Sequence, residues 1–279
     1  MPPVPPVPAA LRRLVAARTP YDVDFGAPGV HRGLPSTTVT LVLPIGEPLH
    51  VAWADVPGSL HGAASSLSGL HAGPAAVHHA GTQRGIQLAL TLEGARVLLG
   101  GPAAELAGAL TDLDEAAVPT ALRELPERLH AVDGWSARVA LVDRCLMETA
   151  ARGGRTAATS EPRPEVARAL TLLAAGRRVA EVADDVGFSR RRLGTLVRSE
   201  CGLAPKEYQR IARLEHARRT LGRRPLAEVA ALCGYADQAH LAREWRALAG
   251  CTPTDWLREE FPFVQDRDGS GGAGSDHEH

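Results

Sequence analysis

The apolar positions change period part-way along the chain, and the change splits it in two. Val39, Leu41 and Leu43 alternate with Thr38, Thr40 and Val42; Leu49, Val51 and Trp53 alternate with smaller or polar residues; Ile86, Leu88, Leu90 and Leu92 alternate with Gln87, Ala89 and Thr91. A period of two is that of a half-buried strand. Pro44-Ile45-Gly46 and Val56-Pro57-Gly58 supply turns, and Gly58 to Ser68 is a Gly/Ser/His-rich connection. Short strands with Gly/Pro turns predict a small β-sandwich or barrel. Leu11–Arg18, Glu93–Leu99 and Ala103–Leu113 read as helices, the last two parted by Gly100-Gly101-Pro102. The fold class of this half is therefore α+β.

From Trp135 the period is helical. Trp135, Val139, Val142, Leu146 and Ala150 share one face of a helix over 135–152. That face predicts docking on the first domain or pairing with a second copy. Gly153 to Pro164, rich in Gly, Thr, Ser and Pro, reads as a linker. Pro164 opens a helix with Val166, Leu170 and Leu173 inward, and Gly176 ends it.

The rest of the chain carries one pattern twice. The first copy is AEVADDVGFSRRRLGTLVRSECGLAPKEY, Ala180 to Tyr208, and the second is AEVAALCGYADQAHLAREWRALAGCTPTDW, Ala227 to Trp256. Gly187 recurs as Gly234 and Phe188 as Tyr235. After one extra residue in copy two, Leu193 recurs as Leu241, Arg198 as Arg246, Gly202 as Gly250 and Pro205 as Pro253. Each copy has the spacing of a helix-turn-helix. The glycine permits a left-handed turn, and Ser189 and Asp237 stand where a helix N-cap is needed. With Leu193, Leu196 and Val197 inward, the rotation of 100° per residue turns Arg191, Thr195 and Arg198 outward. In copy two, Leu241 and Trp245 anchor the helix while Ala239, Arg243 and Arg246 face outward, flanked by Gln238 and His240. An apolar face on a scaffold and a polar face for the major groove is the arrangement of a recognition helix. Arginine can read guanine, and glutamine adenine, with two hydrogen bonds. Arg190, Arg192, Arg198 and Arg246 are the candidates for phosphate contacts. Pro205 to Leu221 reads as one long helix joining the copies. At 1.5 Å per residue it is about 25 Å long, a length that suits two recognition helices in successive major grooves about 34 Å apart.

Charge supports this placement. The net charge is −1, yet residues 160–262 hold 18 Arg/Lys against 14 Asp/Glu, so the basic part coincides with the repeat. No apolar run is long enough for a membrane span, and MPPVPPVPAALRR reads as a Pro-rich arm, not a signal peptide. Cys145, Cys201, Cys233 and Cys251 include no C-x-x-C pair, which predicts buried free thiols and fits a reducing cytoplasm. His31, His50, His61, His71, His78 and His79 raise a metal site as an alternative, against the plainer reading of histidines in loops; only His50 lies in a clear strand. No nucleophile, phosphate-loop or dinucleotide motif is present, so no catalytic residue, cofactor or resident metal is assigned and an enzyme is not expected.

On these residues the chain resembles the AraC/XylS family of bacterial transcription regulators. The resemblance covers Pro162 to Phe263, most specifically GYADQAHLAREWRALAGCTPTDW, and FPFVQD (Phe261 to Asp266) resembles the ending of one branch. It implies an all-α pair of helix-turn-helix units joined by a long helix and binding asymmetric double-stranded DNA. It implies base contacts at Arg191, Gly194 and Thr195, and at Gln238, Ala239, His240, Ala242 and Arg243. GIQLALTLEGARVLLGGPAAELAG is similar to the sensory domain of actinobacterial members. That implies a cupin-like β-barrel that binds a small effector or supports a homodimer, with RNA polymerase as a partner if the protein activates. The expected division is an arm over 1–18, an effector or dimerisation domain over 19–130, a connecting helix over 131–152, a linker over 153–163, the DNA-binding domain over 164–262 and a disordered tail over 263–279. The alternative is a metal-dependent cupin-type enzyme or metal sensor with an accessory DNA-binding domain.

Overall fold

The computed structural model describes residues 5–156 and 163–264. Its first half is built on β1 (Val15–Asp24), β2 (Gly29–Gly33), β3 (Val39–Pro44), β4 (Leu49–Trp53), β5 (His61–Ala63), β6 (Ser66–Ser68), β7 (Ala75–His79), β8 (Thr82–Leu90) and β9 (Leu110–Thr111). They form two sheets, in the orders β1-β8-β3-β6-β9 and β2-β7-β4-β5. Every pairing is antiparallel. The two strands with the cleanest alternation lie side by side. Val39, Leu41 and Leu43 of β3 sit opposite Leu90, Leu88 and Ile86 of β8, and all six are fully buried. Directly opposed apolar pairs of this kind are the unit of sheet stability.

Thr91 accepts a hydrogen bond from the Gly94 N–H and so starts α1 (Leu92–Gly94), which runs on into a π-helical segment, Ala95–Leu99. Two short helices, α2 (Thr120–Arg123) and α3 (Leu125–His130), lead to α4 (Trp135–Thr156). Val139, Val142, Cys145 and Leu146 of α4 are buried, packed on the π-helical segment, α2 and α3. Asp143 of α4 also pairs with the buried Arg18 of β1. The connecting helix therefore docks on its own N-terminal domain.

The C-terminal half is helical: α5 (Pro164–Ala174), α6 (Val179–Asp185), α7 (Arg190–Cys201), α8 (Pro205–Thr220), α9 (Leu226–Leu232), α10 (Gln238–Ala249) and α11 (Pro253–Val264). Tyr208, Ile211 and Leu214 of α8, with Leu221 at its C-cap, are buried, and α8 packs on α5, α7, α9 and α10. One apolar cluster runs from Leu11 through β3, β8 and α4 to Trp256.

Three local expectations are corrected. Leu11–Arg18 is not a helix: a 3-10 turn, Ala9–Leu11, gives way to β1, which crosses the expected boundary at 18/19. A register shift between Val15 and Ala17 hides the alternation. Pro20 is tolerated because β1 is an edge strand. Ala103–Leu113 is helical only over Ala103–Leu106; Gly108, at φ +69°, then turns the chain so that β9 can pair with β6. The histidines are mostly strand residues: His31 lies in β2, His61 in β5, and His78 and His79 in β7.

Helix α4 extends into the expected linker; residues 157–162, the tail from 265 with the last two residues of FPFVQD, and residues 1–4 of the arm lie outside the described residues. All four cysteines are buried and free. Among the described residues no helix is long and apolar enough to cross a membrane.

Candidate nucleic-acid interface

The two copies of the repeat fold into the same local structure, bond for bond. In copy one the Gly187 N–H donates to Asp184 O (3.2 Å) and the Phe188 N–H to Ala183 O (2.9 Å). In copy two Gly234 donates to Ala231 O (3.3 Å) and Tyr235 to Ala230 O (2.9 Å). Both glycines are left-handed, at φ +71° and +72°, a conformation that a side chain would strain. Ser189 then caps α7, its Oγ accepting from the Arg192 N–H at 3.2 Å. Asp237 caps α10, accepting from the His240 N–H at 2.6 Å. Each cap satisfies one of the orphan donors at the helix start and fixes where the helix begins. Leu193 and Val197 anchor α7, and Leu241 and Trp245 anchor α10, all fully buried.

The polar face of each helix is left to solvent. Arg190, Arg191, Arg192, Thr195 and Arg198 are exposed on α7, as are Gln238, Ala239, Arg243 and Arg246 on α10; Gly194, His240 and Ala242 are half-buried. None of these arginines has an ion pair among the described residues. By contrast Arg168, Arg177, Arg210, Arg213, Arg224 and Arg258 of the same half each pair with a carboxylate. The cations left uncompensated thus include those of the two recognition helices, which puts a positive potential where a phosphate backbone would lie.

Two candidates are engaged in ways that sharpen their chemistry. His240 Nδ1 accepts from the Ala236 N–H at 3.2 Å, and its ring meets Tyr235 edge-on at 5.5 Å. Ala236 is the residue that copy two has in excess, so the insertion orients this imidazole. A neutral ring accepting at Nδ1 carries its proton on Nε2, which leaves an N–H donor for guanine N7 or O6. Thr195 Oγ1 donates to Arg191 O at 3.2 Å, which leaves its hydroxyl oxygen available as an acceptor. Gly194, Ala239 and Ala242 offer only backbone or methyl contact.

The N-terminal domain holds a cleft of about 960 Å³ whose lining includes Tyr21, Ile45, Leu49, His78, His79 and Arg84. Behind its wall Phe25 stacks on His79 with ring centres 3.9 Å apart, and His31 lies 5.6 Å from Phe25. Burial, and then His79, pull the His31 pKa down to about 4. Among the described residues no three His, Cys, Asp or Glu side chains come together as a metal set.

A family model described as a helix-turn-helix domain matches residues 182–259. Over 105 residues the chain is 33% identical to an AraC-like protein of Streptomyces antibioticus, 36% of this chain and 35% of that one. This is an AraC-type helix-turn-helix domain. Over 78 residues the chain is 32% identical to LumQ of Photobacterium leiognathi, named as a probable transcriptional regulator; that covers 27% of this chain and 32% of that protein. The chain thus spans about a third of the length of the curated relatives it matches. The whole fold has a solved counterpart: apo ToxT from Vibrio cholerae superposes with a TM-score of 0.55 over 87% of this chain and 97% of that one, at 8% identity. A fatty-acid-bound form of ToxT gives 0.53 at 9% identity, over 87% and 95%. At this identity the likeness is one of fold.

Sequence reasoning missed the residues that tie the AraC-type domain to the sheets. Glu200 of α7 binds Arg96, and Glu215 of α8 binds Ser36 and Thr37. For Glu200 a signal existed: it stands where copy two has the core residue Leu248.

Proposed function

We propose that the protein is a transcription regulator that binds double-stranded DNA at specific sequences through its AraC-type domain. The supporting observation is the doubled, capped recognition helix with an uncompensated polar face. The sheet domain, over about residues 19–130, is the proposed place of a small effector or of pairing between two copies. RNA polymerase is the proposed partner if binding activates transcription. Copy one, with Arg190, Arg191, Arg192 and Arg198, leans toward backbone affinity, and copy two, with Gln238, His240 and Arg243, toward base discrimination.

The test is selection of binding sites from random DNA by the full-length protein, followed by two substitutions. Arg243→Ala is expected to cost about 1–3 kcal/mol at the selected site and to relax preference at one base. Arg198→Ala is expected to weaken binding evenly across sequences and to reduce the salt slope by about one charge. Equal weakening on all sequences by Arg243→Ala would make it a phosphate contact, and a pool that never enriches would remove the function itself.

A further inference from the structure

The two recognition helices end alike; the end of α7 is seated on the N-terminal domain, and the exposed end of α10 lies beside it. Gly202 caps α7 and Gly250 caps α10, at φ +80° and +72°. They are equivalent positions of the repeat. A methyl group at Gly202 would stand 2.1 Å from the Ala107 side chain, and one at Gly250 would stand 3.3 Å from Pro74. Two residues before the first cap, Glu200 takes the Arg96 guanidinium through Nε at 2.8 Å and Nη2 at 2.6 Å. Its side chain is only 5% exposed. The equivalent residue of copy two is Leu248, also buried. A position that is aliphatic core in one copy therefore carries a charge in the other, and the N-terminal domain supplies the counter-charge without which a buried carboxylate is costly. Further along, Glu215 of α8 accepts from the Thr37 N–H (3.2 Å), Thr37 Oγ1 (2.7 Å) and Ser36 Oγ (3.0 Å). Arg32 of β2 donates to Glu259 of α11 at 2.9 Å. Arg191, Thr195, Gln238 and Arg243 take no part in this seam and stay exposed.

We propose that the N-terminal domain is a spacer: by holding α7 at its C-terminal end through Arg96 and bracing the second unit through Arg32 and Glu259 of α11, it fixes the distance between the recognition helices, and so sets the spacing of the two DNA subsites that the protein accepts. Without the seam the two units are held together by α8 alone, which packs on both. With it, a third body touches both and completes a triangle. One base pair more or less between subsites displaces one of them by about 3.4 Å and turns it by about 35°. Two units held through α8 alone yield to such a change more readily than a pair also braced by a third body. Arg96 and Glu200 are positioning residues, and their effect reaches the DNA through the placement of α7. The spacer rests on the DNA-binding function proposed above.

The experiment uses the full chain and the DNA site it selects. Affinity is measured on that site and on sites with one base pair inserted or removed between the two subsites. For the natural sequence a loss of about a hundredfold per inserted base pair is expected. Glu200→Gln, and independently Glu215→Gln, which perturbs the seam at a half-exposed position, should shrink that loss to about tenfold or less while binding the unaltered site within a few-fold. Exchanging the charges, Arg96→Glu with Glu200→Arg, should restore the steep dependence. Identical spacing penalties in the natural protein and both single variants overturn the spacer and leave the DNA-binding function standing. Failure of the natural protein to select any sequence overturns both.

Discussion

Trp245→Ala is expected to lower the stability of the chain by about 3–5 kcal/mol. Trp245 is fully buried in α10, with Leu241 and Leu248 on the same helix buried beside it. Its ring meets Trp256 of α11 at 5.5 Å and 61°, the edge-to-face geometry that aromatic pairs favour. Copy one has Val197 at the equivalent place and Tyr208 opposite, so the core of copy two is organised around a much larger side chain. Truncation leaves a void that α9 and α11 cannot both close on, because α10 is pinned at its start by Asp237 and at its end by Gly250. Urea unfolding measures the loss. Since α10 also carries Gln238 and Arg243, affinity for a selected DNA site should fall in step with stability. A cost below about 1 kcal/mol would mean that the site collapses around alanine and that α10 is held elsewhere.

Acid is expected to weaken the sheet domain through His31, by on the order of 3 kcal/mol. Burial, aided by His79, lowers the pKa of His31 from 6.5 to about 4 in the folded chain. The unfolded chain therefore takes up a proton on this residue at a higher pH than the folded chain does. Stability from the neutral ring is fully present above pH 6.5 and falls as pH drops toward 4, by about 1.4 kcal/mol per unit over that window. Below the folded pKa the loss levels off. His31→Phe keeps a ring beside Phe25 and removes the titration. The difference between the two unfolding free energies, followed from pH 7.5 to 4, should open steadily in the variant's favour. Parallel curves would show that His31 takes its proton inside the fold without penalty.

Much of this architecture is legible in the residues, and the exceptions have physical reasons. The bounds of α7, α9 and α10 follow from their turns, caps and anchors, because each signal is local: a glycine at positive φ, a short oxygen-bearing side chain at the N-cap, apolar residues three and four apart. β3 and β4 are legible for the same reason, since one face of each is buried and the other is not. β1, β2 and β7 are not. Their burial is partial and irregular, with Pro20 inside one and small residues or histidines filling the others. Their existence depends on partners far along the chain, such as Tyr21 opposite Gly85 and His31 opposite Val77, which no window of neighbouring residues contains. The outward face of the candidate interface is readable by rotation alone. The orientation of His240 is not, because it depends on a bond to Ala236 that the extra residue makes available.

The buried pair of Arg96 and Glu200 limits how freely these two halves can be recombined. A chimera that joined this sheet domain to another tandem helix-turn-helix, with a leucine where Glu200 stands, would press an aliphatic side chain against a guanidinium held only 16% exposed. The reverse chimera, this DNA-binding half on a foreign sheet domain, would need a cation at the same place. Halves that look interchangeable by their separate folds are therefore matched at one point by charge, and a lineage that swaps either half must change that residue with it.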